Sequence, residues 1–171
     1  MTLPGPPPVR ATAADVDAMR AVGAALADVV AAGDVVVLTG DLGAGKTVLT
    51  QGLATALGID AGEVTSPTFA LVSEHHGAAL RLLHADVYRL DTAAEIVDLG
   101  LAELVEDGEA IAVIEWGEKA IAAGALPSDR LDVELLAMVG GEQREISMWL
   151  RGPSWEARRG RLLVALAVSP E

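Results

Sequence analysis

The sequence predicts an α/β fold: three layers, with a mostly parallel central sheet, helices on both faces and an antiparallel hairpin toward the C-terminus. Three observations predict it. Val35-Val36-Val37-Leu38 is a short apolar run of buried-strand type that passes through a glycine-rich turn into the helical stretch Thr47 to Leu57. Ala110-Ile111-Ala112-Val113-Ile114 is a second such run, ended abruptly by Glu115, as expected of a strand covered on both faces. Leu131 to Leu135 and Arg144 to Met148 alternate about Gly140-Gly141, which reads as a hairpin at an antiparallel edge.

Composition bounds what such a fold can do. A chain of 171 residues suggests one domain, spanning 1–171, with 1–10 flexible and 153–171 a C-terminal helix. An apolar content of 51% excludes disorder, and the longest apolar runs, such as Leu162 to Val168, are far too short to span a bilayer. No membrane role is expected. Met1 to Pro8 lacks the basic and apolar blocks of a secretory signal and the chain has no cysteine, so a cytoplasmic location is the default. A net charge of -13 argues against a broad electrostatic grip on nucleic acid, whose affinity comes largely from lysine and arginine.

In chain order, a proline-rich lead-in ends at Thr12-Ala13-Ala14-Asp15, which has the spacing of a capping box. Val16, Met19, Val22, Leu26 and Val29 then recur at helical spacing up to Gly33, a scaffold helix for one face of the sheet. The strand that follows feeds Gly40-Asp41-Leu42-Gly43-Ala44-Gly45-Lys46-Thr47, an uninterrupted G-x-x-x-x-G-K-[ST] phosphate-binding loop. With 18 glycines, two lysines and 15 serines plus threonines in 171 residues, a chance match anywhere has a probability of about 0.2%, so the motif is not accidental. Glycine lets backbone N–H groups turn inward on phosphate oxygens, Lys46 supplies a mobile positive charge and Thr47 a hydroxyl for magnesium. The helix behind the loop aims its free N–H groups and positive dipole end at the anion. The expected fold is therefore P-loop NTPase-like.

Beyond Gly58, Thr65-Ser66-Pro67-Thr68-Phe69 packs hydroxyls around a proline and fits an ordinary turn into a strand as well as a nucleotide-sensing loop. His75 and His76 precede Gly77 without the companions of a metal site. Leu82 to Leu90 begins as a strand in which alternation puts His84 and Asp86 on one face. Asp86 then lies near a strand's carboxyl end, where open α/β sheets bind ligands, and is a candidate magnesium or water-positioning carboxylate, or else a partner of Arg89. Glu95 to Leu104 reads as an acidic helix with Ile96, Leu99 and Leu101 inward. Glu115, at the end of an apolar strand, has the outline of a Walker-B acid able to complete a Mg²⁺ shell opposite Thr47; Trp116 reads as a packing anchor. The segment from Trp155 to Val168, basic then apolar, suggests a terminal helix that docks weakly or contacts a partner.

Four motifs, Gly40 to Thr47, Ser66-Pro67-Thr68-Phe69, His84-x-Asp86-x-Tyr88-Arg89-Leu90 and Ile114-Glu115-Trp116, resemble in order and spacing the bacterial TsaE family, the ATPases of tRNA threonylcarbamoyladenosine biosynthesis. The similarity runs from about Val35 to Arg144. It implies ATP and Mg²⁺ as cofactors, with Asp41, Gly43, Ala44, Gly45, Lys46, Thr47 and Val48 on the nucleotide. Thr47 and Glu115 would serve the metal, Lys46 and Asp86 hydrolysis, and Thr65 to Phe69 would act as a switch loop. The implied partners are TsaD-like and TsaB-like subunits of a threonylcarbamoyl-transferase complex, with tRNA engaged indirectly. The implied activity is ATP hydrolysis, weak alone, that resets this complex as it modifies the adenosine next to the anticodon. Departures from the family pattern are Val48 in place of a second threonine, His75-His76 in place of an aromatic-bearing stretch, and Gly117 where proline is frequent. A GTP switch would need N-K-x-D, and the chain has no asparagine. A small P-loop kinase would use the same loop, usually with an arginine-rich lid. A nucleotide-dependent interaction module without significant turnover is the remaining alternative.

Overall fold

A computed structural model describes residues 5–67 and 71–167. Seven strands form one mixed sheet: β1 (Val9–Ala13), β2 (Val35–Thr39), β3 (Val72–His76), β4 (Arg81–Asp86), β5 (Ala110–Glu115), β6 (Arg130–Ala137) and β7 (Arg144–Arg151). Their spatial order is β1-β7-β6-β2-β5-β4-β3. The four central strands β6, β2, β5 and β4 run parallel, and β3, β7 and β1 add antiparallel flanks. This is the three-layer, P-loop-like arrangement that the apolar runs predicted. Helices α1 (Val16–Ala27) and α2 (Lys46–Ala56) cover one face, and α3 (Ala93–Asp98) and α4 (Gly117–Ala122) the other. Two short C-terminal helices, α5 (Pro153–Glu156) and α6 (Arg159–Ala165), complete the described fold. Among the described residues no helix is long and apolar enough to cross a membrane.

The buried-strand runs behave as their composition demands: every residue of β5 is buried, as are the first four of β2. Side chains of alternate parity supply two cores. Val36, Leu38, Ile111 and Val113 meet Leu49 and Leu53 of α2, while Val35, Val37, Ala112 and Ile114 meet Ile96 and Ala120 opposite. Helices α1 and α2 pack closely because glycines face each other's backbone. A Cβ on Gly23 would lie 2.0 Å from Leu49 O, and one on Gly52 2.0 Å from Arg20 O, so any side chain there must push the helices apart.

Several expectations are corrected. Thr12 is not a helix cap: it pairs with Glu145 in β1, a strand that begins at Val9, inside the stretch read as flexible. The cap of α1 is Asp15, whose Oδ1 accepts from Ala18 N at 2.8 Å. Because β1 lies outside β7, the β6–β7 hairpin is internal and not an edge. The acidic segment expected as one helix over Glu95 to Leu104 stops at Asp98, since Gly100 turns left-handed at φ 66° and a 3₁₀ turn follows at Glu103–Val105. His75 and His76 belong to β3 instead of a loop. The C-terminal segment docks firmly: Trp155 and Leu162 are buried, Arg158 bonds Val29 O and the Asp34 carboxylate, and Arg161 bonds Asp28 O.

Candidate functional site

The glycine-rich loop crosses from the carboxyl end of β2 to the first turn of α2. Gly40 has φ 147°, and a Cβ there would meet Leu135 O at 2.7 Å, so β6 presses the loop into a course only glycine follows. Gly45 precedes α2 and gives it no side-chain cap. The leading N–H groups of an eleven-residue helix are thus left to whatever lies over the loop.

Lys46 is buried. Its Nζ donates to Gly40 O at 2.6 Å and Asp41 O at 2.9 Å and lies 4.1 Å from the centroid of the Trp116 ring. Burial pulls its pKa below the ordinary lysine value, and Glu115, Glu118, Asp86 and Asp41 oppose that shift. Next to it, Thr47 Oγ1 donates to Glu115 Oε1 at 2.9 Å. The same carboxylate oxygen lies 2.8 Å from His84 Nε2. Parallel pairing sets Asp86 beside Glu115 at the ends of β4 and β5, the sheet edge where α/β folds bind ligands. Asp86 accepts from Ser66 Oγ at 2.7 Å and from Tyr88 N at 2.9 Å.

Trp116 and Lys119 bind this edge together. Trp116 adopts φ 60°, ψ 41°, a left-handed conformation that costs a bulky residue about 1–3 kcal/mol and gathers at functional sites. Its ring lies 4.7 Å from that of Tyr88 and also contacts Lys46. Lys119 Nζ holds the turn after β4 through Tyr88 O at 2.6 Å and Leu90 O at 3.0 Å.

A cleft of about 250 Å³ opens between Lys46, Thr47, Ser66, Glu115 and Trp116. A second recess, about 170 Å³, lies across the loop between Met19, Val48 and Arg144. A larger cavity of about 520 Å³, beside Arg10, Thr12 and Glu145, involves none of the motif residues; the chemistry, not the volume, singles out the first. The backbone N–H groups and one lysine there suit an anion, next to oxygen donors of the kind a hard divalent cation takes.

Of the residues read from the sequence, Lys46, Thr47 and Glu115 therefore line one cleft, and Asp86 stands beside it, paired in register with Glu115 and bonded to Ser66. Gly43, Gly45 and Val48 line both recesses, Ala44 lines the second, and Asp41 contributes its carbonyl to Lys46. Ser66 joins them, whereas Thr68 and Phe69 of the expected switch loop lie outside the described residues. Four contacts were not anticipated: His84 on Glu115, Ser66 on Asp86, Trp116 on Lys46, and Arg144, whose Nη2 donates to Gly43 O at 3.4 Å. Alternation already put His84 on Asp86's face; nothing local links Gly43 to an arginine 101 residues away.

Comparison with known proteins places the chain in a family. The family model described as Threonylcarbamoyl adenosine biosynthesis protein TsaE matches residues 13–146. The chain is 46% identical over 116 residues to the tRNA threonylcarbamoyladenosine biosynthesis protein TsaE of Treponema pallidum, covering 68% of this chain and 82% of that one. It is 41% identical over 143 residues to the protein of that name from Streptomyces coelicolor, covering 80% and 93%. The crystal structure of Bacillus subtilis YdiB superposes with a TM-score of 0.68 at 28% identity over 94% of each chain. The matched span holds the loop, both acid-bearing strands and the first part of the hairpin, and the chain belongs to the TsaE family.

Proposed function

We propose that this chain binds ATP with Mg²⁺ at the loop Gly40 to Thr47 and hydrolyses it, weakly alone, as a cytoplasmic subunit needed for threonylcarbamoyl modification of the adenosine next to the tRNA anticodon. TsaD-like and TsaB-like subunits hold the tRNA, and ATP turnover here resets their complex. The observation that carries this reading is the 2.9 Å bond from Thr47, at the uncapped start of α2, to the buried Glu115 carboxylate. A hydroxyl and a carboxylate beside a phosphate cradle fit Mg²⁺, which takes few protein ligands and completes its shell with phosphate oxygens and water. When bound, Mg²⁺ would neutralise charge on the phosphate oxygens.

The chain's own residues do the rest. Lys46 exchanges the carbonyls of Gly40 and Asp41 for the β- and γ-phosphates. The first N–H groups of α2 hold the phosphates against the loop. Asp86 orients the attacking water. The recess between Met19, Val48 and Arg144 takes the base and ribose. Ser66 ties the segment before Pro67 to Asp86, so loss of the γ-phosphate can be passed to the Thr65 to Phe69 segment. A binding module without turnover is favoured by one observation, that both oxygens of Asp86 already accept hydrogen bonds.

A reconstitution decides between them: modified tRNA is counted over many turnovers with the wild-type chain, with Lys46→Ala and with no chain. Multiple turnovers only with wild type are expected, and equal yields in all three refute the role. Radiolabelled-phosphate release in the same mixtures separates hydrolysis from binding alone.

A further inference from the structure

His84 is fully buried on β4, and the register of β4 with β5 sets it beside Val113, two residues before Glu115. Its side chain points to the face covered by α2, the same parity as Leu82 in that core. The Nε2 atom lies 2.8 Å from Glu115 Oε1. An ionised carboxylate only accepts hydrogen bonds, so Nε2 carries the donated hydrogen. Thr47 donates to that same oxygen at 2.9 Å. Two donors from different elements thus converge on Oε1 and fix the plane of the carboxylate while its other oxygen takes no part in either bond.

The other nitrogen decides what this ring is for. Nδ1 is buried and has no hydrogen-bond partner among the described residues. A polar atom buried unsatisfied is a net cost, so a leucine of similar bulk would serve the core at least as well. The buried ring persists at the expense of one unmatched nitrogen, and its side-chain hydrogen bond among the described residues goes to Glu115.

The geometry points to His84 as a positioning residue that holds Glu115 in the orientation required to take Mg²⁺ beside Thr47. This rests on the Mg²⁺–ATP reading above. A donor behind a ligating carboxylate sets its direction, and loss of such a partner commonly weakens metal binding about 10–100-fold.

The test is calorimetric titration of ATP into the full chain, in Mg²⁺ and in EDTA, for wild type, His84→Leu, His84→Gln, Glu115→Gln and the His84→Leu/Glu115→Gln double variant, with thermal midpoints recorded alongside. The gain in ATP affinity conferred by Mg²⁺ should fall about tenfold or more in His84→Leu, with affinity in EDTA and the midpoint unchanged. His84→Gln, whose amide donates from near the Nε2 position, should recover most of the gain. In the Glu115→Gln background His84→Leu should add nothing. A gain within twofold of wild type in His84→Leu, or an equal loss in EDTA, overturns the inference. So does an additive double variant. If His84→Leu does not fold, His84→Met takes its place, and failure of both to fold assigns the ring to the core and overturns the inference. A wild-type chain whose ATP affinity ignores Mg²⁺ overturns the underlying reading and this inference with it. In that case the EDTA values show whether ATP binding itself survives.

Discussion

Among the described residues four carboxylates are buried to nearly the same depth, Glu115 at 2%, Asp132 at 6%, Asp86 at 8% and Asp34 at 9% exposure, yet they fall into two kinds. At the base of the sheet, Asp34 receives both Nη atoms of Arg158 at 2.6 and 2.9 Å. On the hairpin, Asp132 is held by Arg130 and Arg151. At the cleft the donors are different in nature: the hydroxyls of Thr47 and Ser66, an imidazole and a backbone N–H, none of them a guanidinium. A buried charge is costly unless compensated. The arginine-paired acids are staples whose charge is spent inside the fold. The cleft acids are oriented by their donors, and on the function proposed above their charge is kept for a cation that arrives with a ligand. Depth of burial does not separate the acids of the cleft from those of the scaffold here; the kind of donor that holds them does.

The largest effect is expected where a staple is broken. Asp34→Asn leaves Arg158, itself largely buried against Trp155, without its counter-charge. Breaking such a pair costs about 3–5 kcal/mol, or about 10 °C in thermal midpoint for a chain of this size. ATP affinity measured well below that midpoint should not change. A midpoint within about 2 °C of wild type would show that the pair is not a staple.

The cleft acids should behave in the opposite way. Glu115→Gln and Asp86→Asn each remove a charge that has no arginine hydrogen-bonded to it among the described residues, so both variants should match or exceed the wild-type midpoint. Glu115→Gln should weaken the Mg²⁺ dependence of ATP binding about tenfold, and Asp86→Asn should slow phosphate release in the assembled complex while ATP stays bound. Two variants destabilised as much as Asp34→Asn would erase the distinction between the regions. Parental hydrolysis by both would remove the roles assigned to the carboxylates.

The division was only half legible in the sequence. Strand, loop and first helix were readable because their signals are contiguous: an apolar run, glycines at fixed spacing, then helical periodicity from Thr47 to Leu57. Glu115 and Asp86 stood out for the same reason, each closing a short strand. The contacts of Ser66 with Asp86 and of His84 with Glu115 did not, since the first pair is 20 residues apart and the second 31. Strand β1 was missed because it follows a proline-rich lead-in and is stabilised by pairing with β7, whose residues are more than 130 positions away. The Asp34–Arg158 staple spans 124 positions and left no local trace at all, so the arginines near the C-terminus read as a loosely docked tail. Local periodicity reveals elements; the compensation of buried charge is a tertiary property.

The smallest effect tests the comparison most finely, because it concerns a staple with a spare. Asp132 accepts from Arg130 Nε at 2.7 Å and Nη2 at 3.3 Å, and separately from Arg151 Nε at 2.9 Å. Arg151 is 46% exposed, against 17% for Arg130, so water screens its attraction and part of its side-chain entropy is lost in holding the contact. Arg151→Ala leaves Asp132 paired to the more buried guanidinium and should cost about 1 kcal/mol or less, with ATP affinity unchanged. Chemical denaturation of this variant beside Arg158→Ala gives the comparison its scale. Arg158→Ala strips Asp34 of its only guanidinium among the described residues and leaves it the backbone N–H of Ala31, so a loss several times larger is expected there. Equal losses from the two arginines would mean that Asp132 depends on both, and that the number of guanidinium partners, and not their presence, is what marks a structural acid in this fold.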